Sequence, residues 1–310
     1  MAFIKKNKWI FVLLLATLVW GLSFVTQVKG SENIGKFWFN GIRFMLGGVV
    51  LLIPALIMER KEYHGKTFWK TIIFGMICGV FLFGAVSFQQ AGITITRSPG
   101  IAAFITDMYA ILVPIFCRLF FKKKTGINLW IGIILTTIGL FFLCVLNVSA
   151  DDGFYVEASK MFLGESILCL CTLCFAFHVL ATDRLGDNVP TLLFSISQFI
   201  TVGALSIIVG LFAEDVSFGM VKGAAIPILY CGIFSVGVGY TCQILGQKHV
   251  NPSLCVVIFA LESVFSTIFG IIFGMDRMNF YTALGCILIL AGIIIGQLNN
   301  KEKNETSDNV

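Results

Sequence analysis

The sequence predicts an all-α integral membrane protein of ten transmembrane helices, arranged as two inverted five-helix repeats. Three observations carry that expectation: composition, the spacing of apolar runs, and an internal echo at a fixed offset. Of 310 residues, 57% are hydrophobic and 13% charged, with a mean hydropathy of +0.93. An average soluble domain carries about 25% charge, so the natural solvent of this chain is lipid. All ten cysteines lie inside apolar runs, which argues against a secreted disulfide framework. The net charge of +5 is spread over loops and ends rather than along a basic, aromatic-studded face, so no nucleic-acid partner is expected.

The elements follow in order. Apolar runs long enough to cross a hydrocarbon core of about 30 Å lie at 9–28, 36–57, 69–91, 98–121 and 127–147. Five more lie at 162–182, 191–212, 223–246, 252–274 and 280–298. Helix is the expected form, because isolated strands leave backbone groups unsatisfied in lipid. Lys5, Lys6 and Lys8 precede the first run. That run is too long for a signal peptide and has no small-residue cleavage site after it, so it counts as a membrane helix. Fifteen Lys and Arg fall on the side of the termini and six on the other, which places both termini in the cytoplasm of a cell with an inner (cytoplasmic) membrane. The expected organisation is a first repeat over 1–147, an extracytoplasmic linker over 148–161, a second repeat over 162–298, and a disordered cytoplasmic tail over 299–310.

The repeat is read from matched positions. The segment SPGIAAFITDMYAILVPIF at 98–116 has an echo in PSLCVVIFALESVFSTIFG at 252–270. Pro99 and Pro252, Gln90 and Gln243, Gly84 and Gly237, Gly132 and Gly285, and Gly139 and Gly292 are each 153 positions apart. Arg43-Phe44 and Gln198-Phe199 are 155 apart. Five helices per copy is an odd number, so the second copy must cross the membrane in the opposite sense. Inverted repeats of this kind place a solute site near the midplane, between the halves.

Ten helices in two inverted halves, Trp20-Gly21 in the first helix and Arg43-Phe44 in the second resemble the drug/metabolite transporter superfamily, EamA type. The resemblance covers residues 9–298. Its motifs are individually weak, and their order carries it. One position departs from the family pattern: nine residues before the glycine opening the last helix of each half, family members often have Glu, whereas here stand Lys123 and Asp276. The resemblance implies a secondary active transporter that moves a small organic metabolite, such as an amino acid or a drug, across the cytoplasmic membrane by alternating access. Such transport is often exchanged against protons. The polar inventory favours a cationic or zwitterionic, amino-acid-like solute.

Ionisable groups at membrane depth are costly and tend to be functional or paired. Arg43 and Asp107 fall at similar depth, so a structural ion pair is the preferred reading over direct recognition of a substrate carboxylate or phosphate by Arg43. Glu262 lies near the middle of helix 9 with no cation at its depth, and its repeat mate is Tyr109. Asp107, mated with Ala260, is expected to point elsewhere. Glu262 and Tyr109 are therefore the leading cavity residues, with Glu262 suited to carry a proton. Further expected substrate contacts are Trp20, Phe24, His178, Gln198, Tyr240 and Gln243. Cys171, Cys174 and His178 share a helix face, but no fourth ligand accompanies them, so no metal site is expected. Nor does any catalytic or cofactor motif occur: GxxxxGK[ST], GxSxG and HExxH are absent, so the chain is not expected to be an enzyme. The expected partners are a small-molecule substrate and the bilayer, with protons and a homodimer left open. The rival functions are a lipid or lipid-linked-sugar flippase component and a non-transporting membrane scaffold.

Overall fold

The computed structural model describes residues 2–60, 65–96, 99–122, 126–142, 158–273 and 278–297. Lys123, Cys144, Asp276, most of the expected linker and the C-terminal tail lie outside them. Among the described residues the chain is helical and contains no strand. The helices are α1 Ala2–Ser31, α2 Lys36–Met58, α3 Gly65–Thr96, α4 Pro99–Asp107, α5 Tyr109–Phe121, α6 Ile127–Phe141 and α7 Ala158–Leu185. They continue as α8 Thr191–Ala213, α9 Phe218–Gly223, α10 Ala225–Tyr230, a π-helical segment Cys231–Tyr240, α11 Thr241–Gln247, α12 Pro252–Phe259, α13 Leu261–Ile272 and α14 Phe280–Gln297.

Seven helices among the described residues are long and apolar enough to cross a membrane, and Ile127–Phe141 and Phe280–Gly296 are shorter apolar helices. The chain is thus a multi-pass helical membrane protein. Three expected spans are less regular than their hydropathy suggested. The run at 98–121 is broken at Met108 (φ −58, ψ −14), and the run at 252–274 is broken at Ala260 with the same backbone angles. Around Met108 the hydrogen bonding tightens to three-residue steps, from Met108 N to Ile105 O and from Ile111 N to Met108 O. The span Ala225–Gln247 carries ten residues of π-helix in its middle.

Helix α2 packs along α8, and α6 along α14. Each end of the first pair is closed by a carboxylate. Glu59, which follows α2, accepts from the backbone N–H groups of Leu192 and Leu193 at the start of α8, both at 2.9 Å. Glu214, which follows α8, accepts from Phe37 N at 3.0 Å and Trp38 N at 3.3 Å at the start of α2. The two helices are therefore antiparallel, and Glu59, Phe37 and Trp38 are each 155 positions from Glu214, Leu192 and Leu193. The first N–H groups of a helix have no intrahelical partner, and an anion there also meets the positive end of the helix dipole. Lys36 adds an ion pair to Glu214 at 3.7 Å.

Close packing at α6 and α14 depends on glycine. A Cβ on Gly132 would lie 2.6 Å from the Gly292 carbonyl oxygen, and one on Gly139 would lie 2.8 Å from that of Gly285. Small residues let backbones approach in this way where lipid offers no hydrophobic drive between helices.

Glu59→Ala and Glu214→Ala should each destabilise the protein by about 0.5–2 kcal/mol, the usual cost of a lost N-terminal cap. The two sites are on the order of 30 Å apart along α2, so the losses should add. Thermal unfolding in detergent measures this, and a double variant as stable as either single would refute a clamp at both ends.

Candidate functional site

A small cavity of about 30 Å³ lies between the helices, with Tyr109, Tyr240 and Glu262 in its wall. Helix α1 presents Trp20, Ser23 and Gln27, spaced i, i+3 and i+7 on one face. Helix α2 contributes Arg43, α3 Gln89 and α4 Thr106. Phe175 and Val179 come from α7, Ser235 and Tyr240 from the π-helical segment, Gln243 from α11 and Phe259 from α12. Both helix breaks open on this cavity: Tyr109 begins α5 directly after Met108, and Glu262 lies in the first turn of α13 after Ala260.

Aromatic packing fixes the wall. Trp20 donates from Nε1 to the Ser235 carbonyl at 3.1 Å and stands 5.0 Å from the Tyr240 ring and 5.4 Å from Phe259. A side chain at Gly239 would collide with Trp20 Nε1, so the indole needs the bare backbone of the π-helical segment. Ser23 donates to Ser235 at 3.0 Å and accepts from Gln27 at 3.3 Å.

The charged groups do not sit as depth alone predicts. Arg43 is 3% exposed, lies 5.2 Å from the ring centroids of Phe39 and Phe44, and its Nε has no hydrogen-bond partner. No ion pair joins it to Asp107, so the expected brace is not formed. The reason is lateral: α2 packs on α8 and the π-helical segment, whereas α4 packs on α3, α7 and α13. Asp107 instead accepts a hydrogen bond from Ser263 Oγ of α13. Asp107 lies outside the lining that holds Tyr109 and Glu262. The Asp107 and Glu262 carboxyl groups are close enough to act on each other electrostatically. Among the described residues nothing hydrogen-bonds the Glu262 carboxyl.

Of the residues expected to contact substrate, Glu262, Tyr109, Trp20, Tyr240 and Gln243 line the cavity, and so does Arg43. Phe24 does not: it is buried in an apolar cluster with Ile93, Ala102, Ala103 and Leu168. His178 and Gln198 also lie outside the lining, joined at 2.9 Å from Nε2 to Oε1. The sequence reading overlooked Ser23, Gln27, Gln89, Thr106, Phe175, Val179, Ser235 and Phe259. The helical spacing from Trp20 to Ser23 and Gln27 was the available signal for two of them.

A multi-pass helical bundle whose broken helices surround a polar cavity defines a membrane transporter class. The profile of the EamA-like transporter family matches the chain twice, over residues 7–145 and 162–296, and the chain belongs to that family. An uncharacterized transporter of Clostridium kluyveri is 21% identical, with 97% of this chain and 96% of that protein covered. The uncharacterized transporter YwfM of Bacillus subtilis is 23% identical over 94% of each. A crystal structure described only as that of a protein superposes with a TM-score of 0.78 at 19% identity, covering 95% of this chain and 98% of that one, which shows a shared fold.

A double-mutant cycle should find coupling between Asp107→Ala and Ser263→Ala of about 0.6–1.7 kcal/mol, the range for hydrogen bonds between membrane helices. The Arg43 and Asp107 cycle should give a value near zero. The reverse ranking would restore the ion-pair brace.

Proposed function

We propose that this EamA-family transporter is a secondary active carrier of a zwitterionic, amino-acid-like solute, working by alternating access in the cytoplasmic membrane. The observation that carries the reading is that Arg43 and Glu262 face one cavity without pairing to each other or to any other described side chain. A guanidinium and a carboxyl that face one cavity without partners are both left uncommitted, and a solute bearing one carboxylate and one ammonium engages both. The planar fork of Arg43 suits the carboxylate. Glu262 takes the ammonium, with Trp20, Tyr109 and Tyr240 offering ring faces to the same cation.

In this reading Glu262 holds either the solute's ammonium or a proton, which is the exchange that couples transport to a proton gradient. Asp107 and Ser263 position the start of α13, and so Glu262. Ten membrane crossings in two inverted halves supply the mechanism, with both termini cytoplasmic. The twofold family match, the mutual carboxylate caps of α2 and α8 and the glycine contacts of α6 and α14 support that arrangement. The two halves exchange roles as the cavity opens to one side and then the other.

Counterflow in proteoliposomes tests the solute class, with L-amino acids compared against amines and carboxylic acids that lack one of the two charged groups. Exchange only of L-amino acids is expected. Exchange of amines alone would remove the role given to Arg43, and stabilisation by lipid-linked sugars alone would replace the carrier with a flippase component. Glu262→Gln should abolish the pH dependence of uptake while leaving the fold intact by thermal unfolding. A pH profile identical to that of the parent protein would remove Glu262 from proton exchange.

A further inference from the structure

The carrier reading uses the cavity but leaves a second buried polar cluster beside it. His178 of α7 and Gln198 of α8 are each 1% exposed and meet at 2.9 Å, with Thr182 Oγ1 3.4 Å from the same imidazole nitrogen. An amide oxygen only accepts, so His178 Nε2 carries the proton, and in the neutral ring Nδ1 is left as an acceptor. That Nδ1 and the Gln198 amide nitrogen are both buried without a hydrogen-bond partner. Buried polar groups are almost always satisfied. Here an acceptor and a donor stand open on side chains that are bonded to each other.

One ring touches both the cavity and this pair. Tyr240 lines the cavity, and its ring meets His178 edge-on at 6.2 Å. The same ring lies 6.1 Å from Phe199 and 5.9 Å from Phe44, which themselves meet at 6.0 Å. Tyr240 is the last residue of the π-helical segment, preceded by Gly237 and Gly239. A π-helix is rare, and such segments are frequent at functional sites.

The sequence places the pair in register with the cavity. His178 and Gln198 are each 155 positions after Ser23 and Arg43, both of which line the cavity. Phe199 is likewise 155 after Phe44.

Resting on the carrier reading above, we infer that His178 and Gln198 form a second binding station for the same zwitterionic solute, on the side of the cavity nearer the face at which α1 and α8 begin (the N-terminal face), reached when the Tyr240 ring swings aside. The solute's ammonium donates to His178 Nδ1, and its carboxylate accepts from the Gln198 amide N–H. The first station offers full charges and the second only neutral groups, so the second holds the solute more loosely, as release requires.

Cysteine accessibility tests this. Gln198→Cys protein in oriented proteoliposomes is treated from each face with the cationic thiol reagent 2-(trimethylammonium)ethyl methanethiosulfonate, and the modified peptide is read by mass spectrometry. Labelling is expected only from the N-terminal face, several-fold faster when Tyr240 is replaced by Leu or Ala, and slowed by a mixture of the standard L-amino acids. His178→Cys serves as the second reporter if Gln198→Cys does not fold. Labelling indifferent to both Tyr240 variants, equal from both faces with Tyr240 intact, or absent from both reporters overturns the station. Labelling that follows Tyr240 but is not slowed by L-amino acids that show counterflow also overturns it, while leaving the carrier reading in place. Absent counterflow with labelling intact fails the carrier reading instead.

Discussion

The mutual capping of α2 and α8 is the constraint on which the rest of the interior depends. Glu59 and Glu214 each satisfy the orphan N–H groups at the start of the other helix. Two helices fixed at both ends have one register. That register sets Phe44 against Phe199 and puts Arg43 and Gln198 on opposite sides of that contact, each seven residues from the start of its helix. Gly47 of α2 then meets Val236 and the Gly232 carbonyl, which seats the π-helical segment against α2. Tyr240, at the end of that segment, packs on Trp20, Phe44, His178 and Phe199 together. A pair of carboxylates at the ends of two helices thus determines where an aromatic ring stands in the middle of the protein.

Backbone irregularity is concentrated where the cavity is. In lipid a broken helix is tolerated only where its freed groups face protein or a polar space. The breaks at Met108 and Ala260 and the π-helical segment all border the same cavity. Helices α6 and α8, which contribute no residue to the cavity wall, are continuous by contrast. The breaks also place Tyr109 and Glu262 at the starts of half-helices. Those are positions where a backbone can turn a side chain inward without a kink propagating to the membrane surface.

Some of this was legible in the sequence, for stated physical reasons. Hydropathy located the apolar runs because burial in lipid demands length and composition, which a one-dimensional pattern records. The fixed offset singled out Tyr109 and Glu262, and both line the cavity. Depth, however, is one coordinate, and matching Arg43 to Asp107 by depth ignored which helices are neighbours. The tightened turn at Met108 had no signal in the sequence, since the residues around it, ITDMYAI, contain neither glycine nor proline. The capping glutamates were missed although they lie at the same offset of 155 as Arg43 and Gln198, because only residues inside the runs were compared. The π-helical segment had only its glycines as a signal, and glycine in a membrane helix more often serves close packing.

The unpaired state of Arg43 and Glu262 is what the architecture maintains at a cost. Either group could be relieved by a partner, and the chain supplies candidates: Asp107 is a second buried carboxyl, and Glu262 borders the same space as Arg43. The structure avoids both solutions. Asp107 is engaged by Ser263, and Arg43 is held between Phe39 and Phe44, whose ring faces favour a cation without neutralising it. A buried ion pair would cost less than two separate charges but would occupy the groups a solute needs. In the carrier reading proposed above, keeping them apart leaves each open to one end of a small molecule. It also explains why aromatic rings rather than acids surround Arg43: they stabilise the guanidinium in place while leaving its hydrogen-bond donors uncommitted.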